Sequence, residues 1–94
     1  MSKSLMSNDK ICHVCGSSQN IHKHHIFYGT ANRQISEKQG CWCYLCAFHH
    51  NMSNYGAHFD KNLDIKLKRI CQEKWEEKNG DREQFIKVFG KSYL

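Results

Sequence analysis

The period of the apolar positions changes along this chain. From Leu63 onward, Leu63, Leu67, Ile70, Cys71 and Trp75 recur at helical spacing, with Lys66, Lys68, Arg69, Glu73, Glu76 and Glu77 on the other faces. The pattern predicts a helix over 61–79 that stops at Gly80. Asp81 with Gln84 three residues on forms a capping box, so 82–89 reads as a second helix. Its apolar face is Phe85, Ile86 and Phe89, and Gly90 ends it. Upstream the pattern shortens. Ile21 to Tyr28 sets β-branched and aromatic residues around His22, His24 and His25, which predicts a short strand. Gly40 to Phe48, with Trp42, Tyr44 and Leu45, predicts another. Between them Gly29-Thr30-Ala31-Asn32-Arg33 reads as a turn or loop, and a short helix is expected from His49 to about Tyr55-Gly56. The fold class is therefore α+β: one small domain over 11–94 behind a flexible N-terminus at 1–10.

Composition sharpens this picture. At 94 residues and 39% hydrophobic content, the core is thin for an independent fold, and such domains need staples. The chain offers 6 Cys and 7 His; every His lies between His13 and His58, and all Cys but Cys71 lie between Cys12 and Cys46. The site therefore belongs to the first two thirds, with the two later helices as its support. No apolar run is long enough to span a membrane, and Met1 to Asp9 lacks the apolar stretch of a signal peptide. Without export, paired cysteines beside histidines read as metal ligands rather than as a disulfide framework. The net charge of +5 agrees with an acidic partner but does not by itself select one.

Cys12-His13-Val14-Cys15-Gly16 is a tight Cys-x-x-Cys turn with glycine just past it, and Cys46-x-x-His49 supplies a matching half. Together Cys12, Cys15, Cys46 and His49 make a tetrahedral set of three thiolates and an imidazole, the donor type of a structural Zn2+. Such an ion also explains how a thin core folds. Alternation puts Cys41 and Cys43 on one strand face with Trp42 and Tyr44 opposite, and these two cysteines read as small buried hydrophobes. Cys71 belongs to the helix stripe. His13, inside the turn, is expected to be exposed.

The remaining histidines suggest a second centre. His24 and His25 are adjacent on a strand, so their rings point to opposite faces; His22 shares a face with His24. His50 follows the zinc half directly and His58 comes eight residues later. In a site of this kind one histidine of the doublet binds a divalent ion while the other acts as a general base.

The order Cys12-x-x-Cys15, His24-His25-Ile26, Leu45-Cys46-x-x-His49-His50 and His58 resembles the HNH endonucleases, members of the ββα-metal nuclease group that includes the colicin-type DNases. Ile26-Phe27-Tyr28-Gly29 with Asn32-Arg33, and the ending Phe85-Ile86-Lys87-x-Phe89-Gly90-Lys91-Ser92-Tyr93, resemble small HNH-like proteins of phages and prophages, so the likeness runs over roughly 11–94. The resemblance implies a ββα-metal core and a metal-dependent endonuclease that hydrolyses DNA phosphodiester bonds. It implies His25 as general base and His24 and His50 as ligands of a catalytic Mg2+, Mn2+ or Zn2+, with His58 as a further ligand or a phosphate contact. It also implies a phage or prophage origin and a cytoplasmic location in the host. The family's middle Asn has no counterpart in Gln39-Gly40-Cys41-Trp42-Cys43; Asn32, Asn51 or Asn54 are the substitutes the chain offers.

Lys23, Asn32 and Arg33 are the candidate DNA contacts, Arg33 foremost, and Tyr28 and Tyr55 serve as core, rim or stacking platforms. So small a nuclease has little surface for sequence readout, which points to a homodimer or a phage or host protein partner. The competing expectation is a non-catalytic zinc module that binds nucleic acid or protein, including an inhibitor built on a degenerate nuclease scaffold.

Overall fold

The computed structural model describes residues 3–50 and 56–94. Two strands and four helices follow in the order β1 (Ile21–His25), α1 (Thr30–Gln39), β2 (Trp42–Cys46), α2 (Ala47–His50), α3 (Lys61–Asn79) and α4 (Arg82–Phe89). The strands pair antiparallel, with Ile21 opposite Cys46 and His25 opposite Trp42. This is the expected α+β class. The two long-period helices fall where the apolar stripes placed them. Asp60 caps α3 by accepting from the Asn62 and Leu63 amides, and Asp81 caps α4 by accepting from Gln84.

The segment from Gly29 to Arg33, expected as a turn or loop, is instead the start of α1. Its only strongly apolar residue is Ile35, so periodicity carries no helix signal there. Tertiary bonds hold it. The buried Ser36 hydroxyl donates to the Phe27 carbonyl at 2.6 Å and accepts from the Phe27 amide at 3.2 Å. Gln39 at the far end accepts from the Trp75 indole at 3.1 Å, tying α1 to α3. Gly40 closes the helix at φ 76, a left-handed conformation, where a Cβ would also run into the Lys3 carbonyl. β1 ends at His25 rather than Tyr28, although the Ile26 amide still reaches the Cys41 carbonyl at 3.0 Å.

The core lies between the sheet and the two C-terminal helices, α3 and α4. Ile26, Phe27, Leu45, Leu67, Cys71, Trp75, Phe85 and Phe89 fill it, with Cys41 and Cys43 buried among them. The Phe27 ring meets Phe85 and Phe89 at centroid distances of 5.3 and 4.5 Å. Ile86, expected on the buried face of α4, is 39% exposed; Phe85 and Phe89, one turn apart, take that face and Val88 lies at its edge. Within the stretch read as a flexible N-terminus, the Leu5 amide bonds the Gly40 carbonyl at 2.9 Å, the Ser4 hydroxyl bonds the Trp42 carbonyl, and Leu5 and Met6 pack on the core. Among the described residues no helix is long and apolar enough to cross a membrane.

Candidate metal centres

The Cys-x-x-Cys turn is fastened to β2. His13 donates its amide to the Tyr44 carbonyl, Gly16 closes back on the Cys12 carbonyl at 2.9 Å, and the Cys12 amide reaches Ser17. Cys46 ends β2 and His49 sits in α2, so the second half straddles the strand-to-helix junction. The four donors converge. Sγ of Cys15 and Cys46 lie 3.7 Å apart, and His49 Nδ1 lies 3.3 Å from Cys46 Sγ and 3.8 Å from Cys12 Sγ. A tetrahedral zinc with Zn–S near 2.3 Å and Zn–N near 2.05 Å requires about 3.8 Å between sulfurs and about 3.6 Å between sulfur and nitrogen. These residues thus fit a metal such as zinc.

Their electrostatics fit too. Burial works against ionisation of Cys12, but the amides of Cys46, Cys15 and Val14 outweigh it and lower its thiol to about 6. For Cys15 the Ser17 amide favours the thiolate, yet burial and the neighbouring Cys12 and Cys46 sulfurs raise it. Crowded thiolates repel one another, and a divalent cation relieves that repulsion.

The second centre is built by alternation on β1. His22 and His24 face α2, while Lys23 and His25 face α1. His24 is 1% exposed, and neither Nδ1 nor Nε2 has a hydrogen-bond partner. Its ring lies 5.3 Å from that of His50 and 5.2 Å from that of His58. Backbone bonds bring the latter two together: the Ala57 amide reaches the His49 carbonyl and the His58 amide the His50 carbonyl, closing the chain on itself past α2. His50 Nε2 and His58 Nε2 lie 3.1 Å apart, and one nitrogen from each of His24, His50 and His58 lies within 4.8 Å of the others.

An orphaned, buried imidazole facing two more is costly unless a cation satisfies it. Burial, followed by the repulsion of His50 and His58, lowers His24 to about 3; burial and then His58 and His22 lower His50 to about 4. Both rings are therefore neutral at neutral pH, the form a metal ion needs.

Lys23, His25, Tyr28, Gly29 and Arg33 surround this trio in an open cleft of about 500 Å³. Arg33 extends from the first turn of α1. Tyr28 is 42% exposed, its ring 5.7 Å from that of His58, with the Lys68 ammonium 4.3 Å over its face. The Lys23 ammonium is held by Glu37 at 2.8 and 2.9 Å and lies 4.2 Å over the Trp42 ring. Asn32 turns elsewhere, its amide donating to the Phe89 carbonyl at 3.4 Å. Asn51, Asn54 and Tyr55 lie outside the described residues. The short helix expected from His49 to about Gly56 starts earlier, as α2 at Ala47; residues 51–55 are not described, and Gly56 is not helical. Sequence reasoning missed Glu37, whose Oε1 faces His25 Nε2 at 3.5 Å. It sits in the second half of α1, beyond the expected loop at 29–33, in a stretch whose apolar pattern carries no helix signal.

Comparison of the chain with protein-family models, with curated proteins and with solved structures finds no match.

Proposed function

We propose that the chain is a metal-dependent endonuclease of the HNH type, acting on DNA phosphodiester bonds, with a ββα-metal core formed by β1, β2 and α2. The observation that carries this reading is His24: a buried ring with both nitrogens unpartnered, facing His50 and His58, beside a second histidine that faces an acid. A pure structural-zinc domain has no use for that arrangement. The motif order Cys12-x-x-Cys15, His24-His25 and Cys46-x-x-His49-His50 supports the family assignment, and the likeness of residues 26–29 and of the ending 85–93 to small phage proteins supports a phage or prophage origin.

In this reading Cys12, Cys15, Cys46 and His49 hold a structural zinc that fixes the β2–α2 junction. His24, His50 and His58 would hold a divalent cation, which supplies charge neutralisation for the phosphate and its leaving oxygen. His25 takes a proton from the attacking water. The water oxygen forms a bond to phosphorus and the bond from phosphorus to the 3′ oxygen breaks, leaving a 5′-phosphate and a 3′-hydroxyl that gains a proton from solvent. Arg33, at the rim of the cleft, positions the phosphate by charge. Lys23 acts on His25 through Glu37 rather than on DNA.

The test is nicking of supercoiled plasmid by zinc-loaded protein with Mg2+, Mn2+ or no added ion, alongside His24→Ala and His25→Ala of confirmed zinc content. Metal-dependent nicking lost in both variants supports the reading; nicking that persists in both overturns it.

One observation favours a second reading, a non-catalytic zinc module. No Asn stands between Gln39 and Cys43, and Asn32 is engaged with Phe89. Folded wild type that binds nucleic acid or a protein partner without cleaving under any ion would support that module.

A further inference from the structure

We infer that His22 is the positioning residue of the histidine centre: its Nδ1 accepts a hydrogen bond from His50 Nδ1, which leaves the His50 Nε2 lone pair free for the cation. The inference rests on the metal-dependent reading of His24, His50 and His58.

The geometry gives His50 two neighbours on its two nitrogens. Nδ1 lies 3.0 Å from Nδ1 of His22, and Nε2 lies 3.1 Å from Nε2 of His58. The His22 and His50 rings meet edge to face, with centroids 5.1 Å apart and planes at 81°. His22 reaches this position because it stands two residues before His24 on β1 and projects from the same face. It is outside the trio whose nitrogens converge.

A neutral imidazole carries one proton and one lone pair on its two nitrogens. Two Nδ1 atoms at hydrogen-bond distance must share a single proton. If His22 supplied it, His50 would carry its own proton on Nε2, pointing at His58, and His50 could not ligate. If His50 supplies it, Nε2 is a bare lone pair aimed where His58 Nε2 also aims. His22 then holds its proton on Nε2, and as a half-buried residue it can satisfy that group with solvent. The choice of tautomer thus separates a self-satisfied chain of histidines from a metal centre, and His22 is the residue that receives the deciding proton. A ligating histidine generally needs such an acceptor behind it. The usual acceptor is a carboxylate or a carbonyl; here it is a second imidazole.

The test is a Co2+ titration of protein whose cysteine site is already filled with zinc, read by the visible d–d absorption of the histidine-bound ion. Wild type, His22→Leu and His22→Gln are compared after zinc content and circular dichroism confirm equal folding. Leu cannot accept a hydrogen bond, whereas the Gln side-chain carbonyl can. His22→Leu is expected to weaken Co2+ binding by about 10- to 100-fold, and His22→Gln to stay within a few-fold of wild type. Equal affinity of His22→Leu and wild type overturns the positioning role and leaves the metal reading standing. Equal loss in both variants overturns it differently, by making His22 a ligand itself. Wild type that gains no absorption, with His50→Ala indistinguishable from it, overturns the metal reading and this inference together.

Discussion

His25 Nε2 faces Glu37 Oε1 at 3.5 Å, and the same carboxylate holds the Lys23 ammonium at 2.8 and 2.9 Å. The three side chains link the outer face of β1 to α1. Hydrogen bonding first from Lys23, and then from His25, lowers the Glu37 carboxyl below its usual value, so it is anionic at neutral pH. An anion on Nε2 keeps the proton there and leaves Nδ1 of His25 as the basic nitrogen. If His25 is the general base, Glu37 acts through it. Glu37→Gln is expected to lower kcat for plasmid cleavage by about 10- to 100-fold with little change in KM, because the ring loses its orientation and not its substrate contacts. A Glu37→Gln protein with wild-type kcat removes Glu37 from the mechanism.

The zinc reading predicts a folding effect. Cys12, Cys15, Cys46 and His49 join a turn near the N-terminus to the β2–α2 junction, and the remaining core is small. Cys46→Ser is expected to lose stoichiometric zinc and most of its helical circular dichroism, and a strong chelator should unfold wild type in the same way. Retention of a cooperative thermal transition after chelation would show that the hydrophobic core alone suffices.

What the sequence made legible follows from physics. α3 and α4 were readable because their stability comes from apolar stripes, and their caps, Asp60 and Asp81, are local. The first metal cluster was readable because a chelate turn is a matter of spacing along the chain. α1 was not readable, because the side-chain bonds that hold it, from Asn32, Ser36, Glu37 and Gln39, all run to residues outside the helix. Missing α1 hid Glu37 and placed Arg33 in a loop instead of on a helix. The His22–His50 contact was equally hidden: alternation puts His22 beside His24, but only the fold of α2 against β1 decides which ring it meets.

The contrast between Phe85 and Ile86 gives a stability test. Both belong to the apolar run of α4, yet Phe85 is fully buried against Phe27, Trp75 and Phe89, whereas Ile86 is 39% exposed. Phe85→Ala is expected to cost about 3–5 kcal/mol of unfolding free energy, through lost burial and the cavity it leaves. Ile86→Ala should stay within about 0.5 kcal/mol. Urea denaturation of the zinc-loaded proteins measures both; comparable losses would mean that α4 is rotated relative to this packing.

Asp64 and Lys68 form a buried pair one helical turn apart on α3. Their Oδ2 and Nζ are 2.8 Å apart and their side chains only 11% and 10% exposed, with Asp64 Oδ1 unpartnered. Burial disfavours the ammonium, but the Asp64 hydrogen bond and charge, aided by Tyr28 and Tyr93, outweigh it and raise the Lys68 pKa. A raised pKa means that the folded state holds this proton more tightly than the unfolded chain. The pair's contribution is therefore complete below the ordinary lysine value near 10.5, and is lost as pH climbs through the raised one. Lys68→Met should remove that alkaline dependence. At neutral pH it should also destabilise the protein by about 3–5 kcal/mol, because a buried carboxylate is left without its partner. Adding Asp64→Leu should recover most of that loss, since two apolar side chains replace the pair without a stranded charge. Thermal melts of the two variants and wild type at neutral pH and above pH 10 decide the matter. If Lys68→Met alone melts with wild type, the pair is not holding α3 against Tyr28 and the rim of the cleft.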